Sequence, residues 1–554
     1  MFKSKLKTIL TIGLITLFFI VSFRAFALYR IPVFNSDYAV HVLMAQDIKL
    51  PDDLYYWGQN RLGSLLPILS YFGVRILSLS PIVAVSYVQY LLLLIGFLSF
   101  CSILRSNFSR LTLALVWLLP AVTFTSTIEA VQPYTPQFAT IGCALAFIHQ
   151  LNIYKNTIFW QRGLLIVGSL ISLCLSLWIS EQSIIIVLIM GYLIRSKCIA
   201  LDTLENKSKN LNEPENRSEN NFEKFNPRDI LENLITHLNY AKYSKIFNLT
   251  ALVGVIFIVI AKISATPSYG IFGINSLAIT WTVFKSVMKL IVQSITFSIE
   301  NWLLSLYSVA CLGLASFLVA ISIISIQKNW TKNFKFRSAI RRAFDSDLKW
   351  SVLFGINTIG SFLLLISSEW VYKNEINIRY FSVVYLSLWL TIIFYNDSIS
   401  NLSLKSAKIG IVNSFKKYLF KINAPLSVLL LIVALIGSMS LPSYVYSLSP
   451  AKSQLSKLIG FNQLGEAGII GSYWNSYIIC SVNPEKLSCT PHDRDMVRSI
   501  RSAKKVMASS KIYLVKERWL ENFPDQIVQF KTKLTKQGPE LKIDEYTLAL
   551  YKRE

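Results

Sequence analysis

The sequence predicts an α-helical polytopic membrane protein of about eleven transmembrane helices, with interfacial helices in its outer loops and a small C-terminal α/β domain beyond the membrane. Three observations predict it. Of the 554 residues, 53% are hydrophobic and only 16% charged, with a mean hydropathy of +0.48, which is more apolar surface than ordinary soluble domains can bury. Apolar runs of spanning length recur between short polar stretches. After Tyr446 that rhythm stops, and short strand-like and amphipathic patterns replace it.

The first run, residues 8–28, follows Lys3, Lys5 and Lys7 as a signal peptide would, but its apolar core continues for the ~20 residues a span needs, so it predicts an uncleaved anchor. Further runs lie at 81–104, 111–128, 135–154, 163–180, 182–194, 246–265, 302–326, 350–368, 380–395 and 425–446. Arg105, Arg110, Lys155, Arg162, Arg195, Lys197 and the basic stretches 328–342 and 405–421 then share the side of the N-terminus, which the positive-inside rule assigns to the cytoplasm. The expectation is a multi-pass plasma (inner) membrane protein with a membrane module at 1–446 and an extracytoplasmic domain at 447–554. The first outer loop is 29–80, short turns carry Glu129 and Glu181, and a further outer loop spans 266–301. The formal charge of +24 is scattered over loops rather than gathered on one face, which argues against a nucleic-acid partner.

Within the cytoplasmic loop 197–245, residues 205–227 are rich in Asn, Glu, Ser and Lys and poor in aromatics, so disorder is expected there. Residues 61–79 and 273–297 read as interfacial helices, with Arg75, Lys285 and Lys289 placed to snorkel. In the tail, 493–510 predicts an amphipathic helix, 511–515 and 546–553 predict strands, and 525–538 predicts a helix capped by Asp525 and ended by Gly538. Residues 468–481 fit strand or helix equally. Cys480 and Cys489 are spaced for a hairpin disulfide in an oxidising compartment or remain two free thiols, and the other five cysteines look like small apolar residues.

The stretch "PVFNSDYAVHVLMAQDI" (32–48) leaves the first span and carries Val40, Leu43, Met44 and Ile48 at helical spacing, so a short helix begins near Asp37 and puts His41 one turn on. Either Ser36 or Asp37 simply caps that helix, or Asp37 is a carboxylate at the outer membrane edge, placed to meet a lipid-linked substrate and accept a proton. Four dispersed histidines, His41, His149, His237 and His492, argue against a metal site. There is no Gly-rich phosphate loop for a nucleotide donor.

With the aromatic, Gly-containing "YYWGQNRLGSLLP" (55–67) behind it and "NIRYFSVVY" (377–385) opening a later span, the chain resembles the GT-C superfamily of polyprenyl-phosphate-dependent glycosyltransferases, which includes protein O-mannosyltransferases and lipid A aminoarabinose transferases. The resemblance implies transfer of a sugar from a polyprenyl-phosphate donor to a protein, lipid or glycan acceptor, with membrane lipid around the site. Asp37 matches the family's catalytic aspartate, and Glu129 stands where a second acid orients the acceptor or pairs with an Arg. Arg61 and Arg379 are the candidates to hold the leaving phosphate, together with Tyr380. His41, Tyr56, Trp57 and Gln59 are candidates for sugar or acceptor contact. Tyr38 stands where the family often carries a second acid, which weakens the case for a metal held by paired acids; no cofactor is expected, with a divalent cation left open.

Three rival readings make different demands. A transporter or flippase brings charges into mid-membrane, whereas the spans beginning near 302, 350, 380 and 425 carry theirs at the ends. A polysaccharide polymerase or ligase puts working arginines on a mid-chain outer loop, where this chain has only Lys285 and Lys289. A non-catalytic scaffold leaves Asp37 a cap.

Overall fold

Uninterrupted apolar runs become single long helices, and Pro120 divides one of them. The computed structural model describes residues 2–130, 132–153, 159–210, 242–265, 273–296, 300–330, 348–409, 414–447 and 453–554. The membrane module comprises α1 (Phe2–Phe26), α2 (Ser36–Gln46), α3 (Leu65–Leu77), α4 (Pro81–Cys101), α5 (Asn107–Leu118), α6 (Tyr134–Ile153), α7 (Phe159–Ile179), α8 (Ile184–Asn210), α9 (Lys242–Ser264), α10 (Leu277–Ile295), α11 (Trp302–Trp330), α12 (Lys349–Ile366), α13 (Glu369–Lys373), α14 (Ser382–Ile409) and α15 (Ser414–Met439). Among the described residues, seven helical stretches are long and apolar enough to cross a membrane, and three shorter apolar ones accompany them, so the expected eleven is not reached by length and composition.

The run at 111–128 is one reason. Pro120 cannot continue a helix and pushes the residue before it out of the helical region, so α5 stops at Leu118 and the chain resumes as a 3₁₀ helix at Val122–Thr127. The low-complexity stretch also differs from expectation at its start, because α8 continues to Asn210; residues 211–241 lie outside the described residues.

Apolar side chains point outward along these helices. On α9, Leu249, Val253 and Ile263 are 65%, 57% and 79% exposed, an outer surface that hydrocarbon solvates and water does not. Inside the bundle, close approach and a few polar bonds join the helices. A Cβ on Gly96 of α4 would lie 2.8 Å from the Trp117 ring and 3.0 Å from the Ala139 Cα, so only glycine lets α4 meet α5 and α6 there. Asn357 donates to Ser387 at 2.8 Å, and Trp389 Nε1 donates to the Tyr307 hydroxyl at 2.9 Å.

Alternate loops gather at one end of the bundle. Backbone bridges pair Leu62 with Ser180 and Ile274 with Ser368, so the first loop meets the α7–α8 turn and the α10 loop meets the α12–α13 turn. At the opposite end, Asp397 of α14 accepts the backbone N–H groups of Arg105 and Ser106 at 3.1 and 2.8 Å and fixes the start of α5.

The C-terminal domain caps the first end. Its six-stranded sheet has the order β2-β1-β3-β6-β5-β4, where β1 (Ala467–Gly471), β2 (Leu487–Pro491) and β3 (Ile512–Val515) are parallel and β4 (Gln526–Gln529), β5 (Thr532–Ile543) and β6 (Tyr546–Arg553) are antiparallel. The stretch 468–481 is strand and then helix: β1 turns at Ser472 into α16 (Tyr473–Ser481), which carries the chain to β2. Helix α17 (Ile500–Met507) leads from β2 to β3 and starts later than expected, at Ser499, whose side chain accepts from Ser502 N–H at 3.1 Å. The helix expected at 525–538 is a β-hairpin. Ile527 and Val528 pair with Leu534 and Lys533 across a two-residue turn at Phe530 and Lys531, and β6 gives β5 an antiparallel partner that a helix could not use. Cys480 and Cys489 form a disulfide that ties α16 to β2.

Candidate functional site

Asp37 is not the cap of its helix. Asn35 takes that role, its side-chain oxygen accepting from Tyr38 N–H at 3.1 Å, while the Ser36 hydroxyl donates to the Tyr473 carbonyl at 2.7 Å. Asp37 is left in the first turn of α2, where the helix dipole favours an acid, with its half-buried carboxylate free of local backbone work. Its Oδ1 accepts a hydrogen bond from the Tyr473 hydroxyl of the C-terminal domain. The Tyr56 hydroxyl donates to the Asp37 carbonyl at 3.1 Å. Arg498 donates to the Tyr473 hydroxyl at 3.4 Å, and its guanidinium lies 5.2 Å from the Tyr473 ring centre and 6.0 Å from that of Tyr56.

Burial raises the Tyr473 phenol pKa well above its usual range, and the Asp37 charge adds to it, so Tyr473 keeps its proton and acts as a donor. Tyr56 is raised in the same way, by burial first and then by Asp37. Burial works against the Arg498 cation, but Tyr473, Tyr56 and Asp37 outweigh it and its pKa rises.

Glu129 joins the cluster through Tyr38. The Tyr38 phenol is pushed up by burial and then by the nearby Glu129 carboxylate, with smaller contributions from Tyr444 and Asp37. Arg379 experiences both the Asp37 and the Glu129 charges. It is exposed, with its guanidinium 5.3 Å from the Tyr380 ring centre. Tyr380 is buried and packs with its ring centre 4.3 Å from that of Trp370 on α13, and the Arg61 guanidinium lies 4.7 Å from the same Trp370 ring centre. The two arginines, 318 positions apart as the difference of their numbers, are thus linked by two aromatic rings. Below this ladder, Tyr380 and Phe381 belong to one apolar cluster with Val283, Val287, Leu365 and Ile366, and a groove of about 720 Å³ opens beside it, lined by Leu277, Trp281, Phe284, Phe362, Leu363 and Ile366.

The rest of the first loop serves as a platform. Gly63 packs so closely on α7 that a Cβ would lie 2.7 Å from the Trp178 carbonyl oxygen, and Lys262 of α9 ties the Asn60 carbonyl to Glu181. His41 is buried with its ring centre 4.9 Å from that of Tyr56. Gln59 is half-buried, and its side-chain oxygen has no hydrogen-bond partner among the described residues. Trp57 faces a different task from the sugar contact expected of it: it is buried and donates to Asp53 at 3.0 Å, and Asp53 in turn forms an ion pair with Arg501 of α17 at 2.6 Å.

Of the sequence candidates, the structure therefore brings Asp37, Tyr56 and His41 together, places Glu129 and Arg379 within electrostatic reach of them, stacks Arg61 on Trp370 beside Tyr380, and turns Trp57 towards the domain junction. The cluster is a poor fit to a divalent cation, because Oδ1 of Asp37 already accepts from Tyr473 and the surrounding charges include two guanidinium groups. Sequence reasoning missed Tyr473, Arg498 and Trp370. The signal for the first two lies in the tail's own topology, since both follow parallel strands at their carboxyl ends.

No protein-family model and no curated protein matches this chain. Among solved structures it is similar to ArnT from Cupriavidus metallidurans in the apo state, with a TM-score of 0.47 and 10% identity over 99% of this chain and 98% of that one. It is also similar to ArnT from the same organism bound to undecaprenyl phosphate, with a TM-score of 0.44 and 11% identity over 98% of this chain and 97% of the other.

Proposed function

We propose that this protein is a membrane glycosyltransferase that moves a sugar from a polyprenyl-phosphate donor to an acceptor on the extracytoplasmic face, with Asp37 as the base. The observation that carries this reading is a half-buried carboxylate with cationic side chains in its electrostatic reach, and an apolar groove beside Tyr380, at one end of a membrane bundle. An amphiphile with an anionic head and an isoprenoid tail matches that combination. The tail of the donor lies in the groove between α10 and α12, and its phosphate meets Arg379, with Arg61 held in reserve across the Trp370–Tyr380 ladder.

The reaction is an in-line displacement at the anomeric carbon. The acceptor oxygen forms its bond to that carbon while its proton passes to Asp37, and the bond to the phosphate oxygen breaks with its electron pair leaving on the phosphate. Arg379 stabilises the negative charge where it develops. Glu129, whose charge reaches both Tyr38 and Arg379, orients the acceptor. The basic loops at the opposite end of the bundle support an extracytoplasmic location for the site.

Deleting the gene in its host and comparing cell-surface glycans identifies the product. Restoring the wild-type chain returns the lost glycan, whereas Asp37→Asn at equal membrane level lowers transfer by roughly 10²–10⁴-fold. Full restoration by Asp37→Asn eliminates Asp37 as the base.

A further inference from the structure

The C-terminal domain meets the membrane module with the carboxyl ends of its parallel strands. In α/β sheets the crevice outside those ends is where ligand-facing residues collect, at the point where successive connections leave in opposite directions. In the order β2-β1-β3, Tyr473 follows β1 after one residue and Arg498 lies in the connection that follows β2. The same edge frames them. Asp495 accepts Tyr473 N–H at 2.6 Å, and Glu517, just past β3, accepts Ser472 N–H at 2.7 Å and the Asn475 side chain at 2.9 Å. These two carboxylates spend their oxygens within the domain. Arg498 N–H donates to the Tyr477 hydroxyl at 3.1 Å, and from the membrane side Ser36 holds the Tyr473 carbonyl at 2.7 Å. Backbone and ring of Tyr473 are thus fixed from both sides of the junction.

We propose that the C-terminal domain completes the reaction centre, with Tyr473 and Arg498 as positioning residues that hold the Asp37 carboxylate for proton transfer. This rests on the reading of Asp37 as base. Tyr473 binds Oδ1, so Oδ2 is the oxygen turned to the acceptor hydroxyl. Tyr473 keeps its own proton throughout; the acceptor's proton ends on Asp37, and the departing phosphate carries away the electron pair. Arg498 lies against the Tyr473 ring and hydroxyl and keeps the phenol from swinging out of line. A second junction, the Arg501–Asp53 ion pair, docks the same domain without touching Asp37.

That separation supplies the control. Full-length variants are produced in the deletion strain at equal membrane level and scored for the glycan that deletion removes, and each purified variant is scored for binding of undecaprenyl phosphate. Tyr473→Phe and Arg498→Gln are expected to lower the glycan by at least about tenfold while affinity for undecaprenyl phosphate stays within about twofold, as expected when orientation of a reacting group is lost but binding is not. Arg498→Lys restores part of the loss. Arg501→Gln removes the cation beside the buried Asp53 and lowers stability, yet at equal membrane level keeps both readouts within about twofold. Full glycan from Tyr473→Phe and Arg498→Gln beside a silent Asp37→Asn overturns the positioning role and leaves the transferase reading standing. A loss in Arg501→Gln as large as in Tyr473→Phe overturns it as well, because docking alone then explains the effect. If Tyr473→Phe does not accumulate, the Arg498→Gln and Arg498→Lys pair decides. Glycan retained by Asp37→Asn, or unchanged by the deletion, overturns the transferase reading itself.

Discussion

Asp37 and Tyr473 are separated by 436 positions and meet in one hydrogen bond. That distance explains which site residues a reader of the sequence can find. Asp37, Tyr56 and Arg379 are visible because each is a polar or aromatic residue in a loop that borders an apolar run. Tyr473 and Arg498 have no such marker, because their placement depends on the docking of one domain upon another. The role of Asn35 was hidden for a smaller reason: three consecutive residues, Asn35, Ser36 and Asp37, can all cap a helix, and only the backbone at Asn35, with φ −108° and ψ 173°, decides among them. Gly63 offers a test at this scale. Its missing side chain lets the first loop lie on α7, with the Trp178 carbonyl oxygen 2.7 Å and the Ile179 Cα 2.9 Å from where a Cβ would stand. Backbone atoms cannot step aside as a side-chain tip can, so Gly63→Ala destabilises by roughly 1–3 kcal/mol, measured by thermal or denaturant unfolding of the solubilised chain. An unchanged unfolding midpoint refutes the close contact.

Helices were legible where length and apolar content agreed, and less so where short-range signals competed. The run at 111–128 carries enough apolar residues for a span, yet Pro120 divides it. The hairpin at 526–543 is the more instructive miss. Gln526 to Gly538 can be written as an amphipathic helix, and Asp525 and Gly538 look like its cap and stop, but Ile527 and Val528 are strand formers and β6 provides the pairing edge. Asp525 contributes its backbone carbonyl instead, accepting Lys536 N–H at 2.9 Å. The turn is formed at a cost, since Phe530 and Lys531 both adopt positive φ, 48° and 62°, where side chains with a Cβ are disfavoured. Replacing the pair by Phe530→Asn with Lys531→Gly relieves it and stabilises the C-terminal domain by about 1 kcal/mol. Hydrogen exchange across β4 and β5 in the full chain reads this directly; faster exchange in the double variant contradicts the turn geometry.

At the scale of the whole molecule, the bundle separates two ends with different chemistry. One end gathers the first loop, the Glu129 and Glu181 turns, α13 and the C-terminal domain around Asp37 and Arg379. The other carries Arg105, His149, Lys349 and the structural carboxylate Asp397. The separation of Asp37 from the Arg105 and Lys349 end was legible, because apolar runs lie between them and the loops at each end differ in charge character. What the sequence could not disclose is that the C-terminal domain reaches Asp37 and Asp53 of the first loop, since Tyr473 and Arg501 are brought there by helices whose placement depends on the folded sheet. Whether the Asp37 end binds a polyprenyl phosphate is read from a cryo-EM map of the full chain with added undecaprenyl phosphate. The phosphate is expected within hydrogen-bonding distance of Arg379 or Arg61 and the isoprenoid along Trp281, Phe284 and Phe362; a lipid phosphate resting instead at the Arg105 and Lys349 end rules out the proposed donor site.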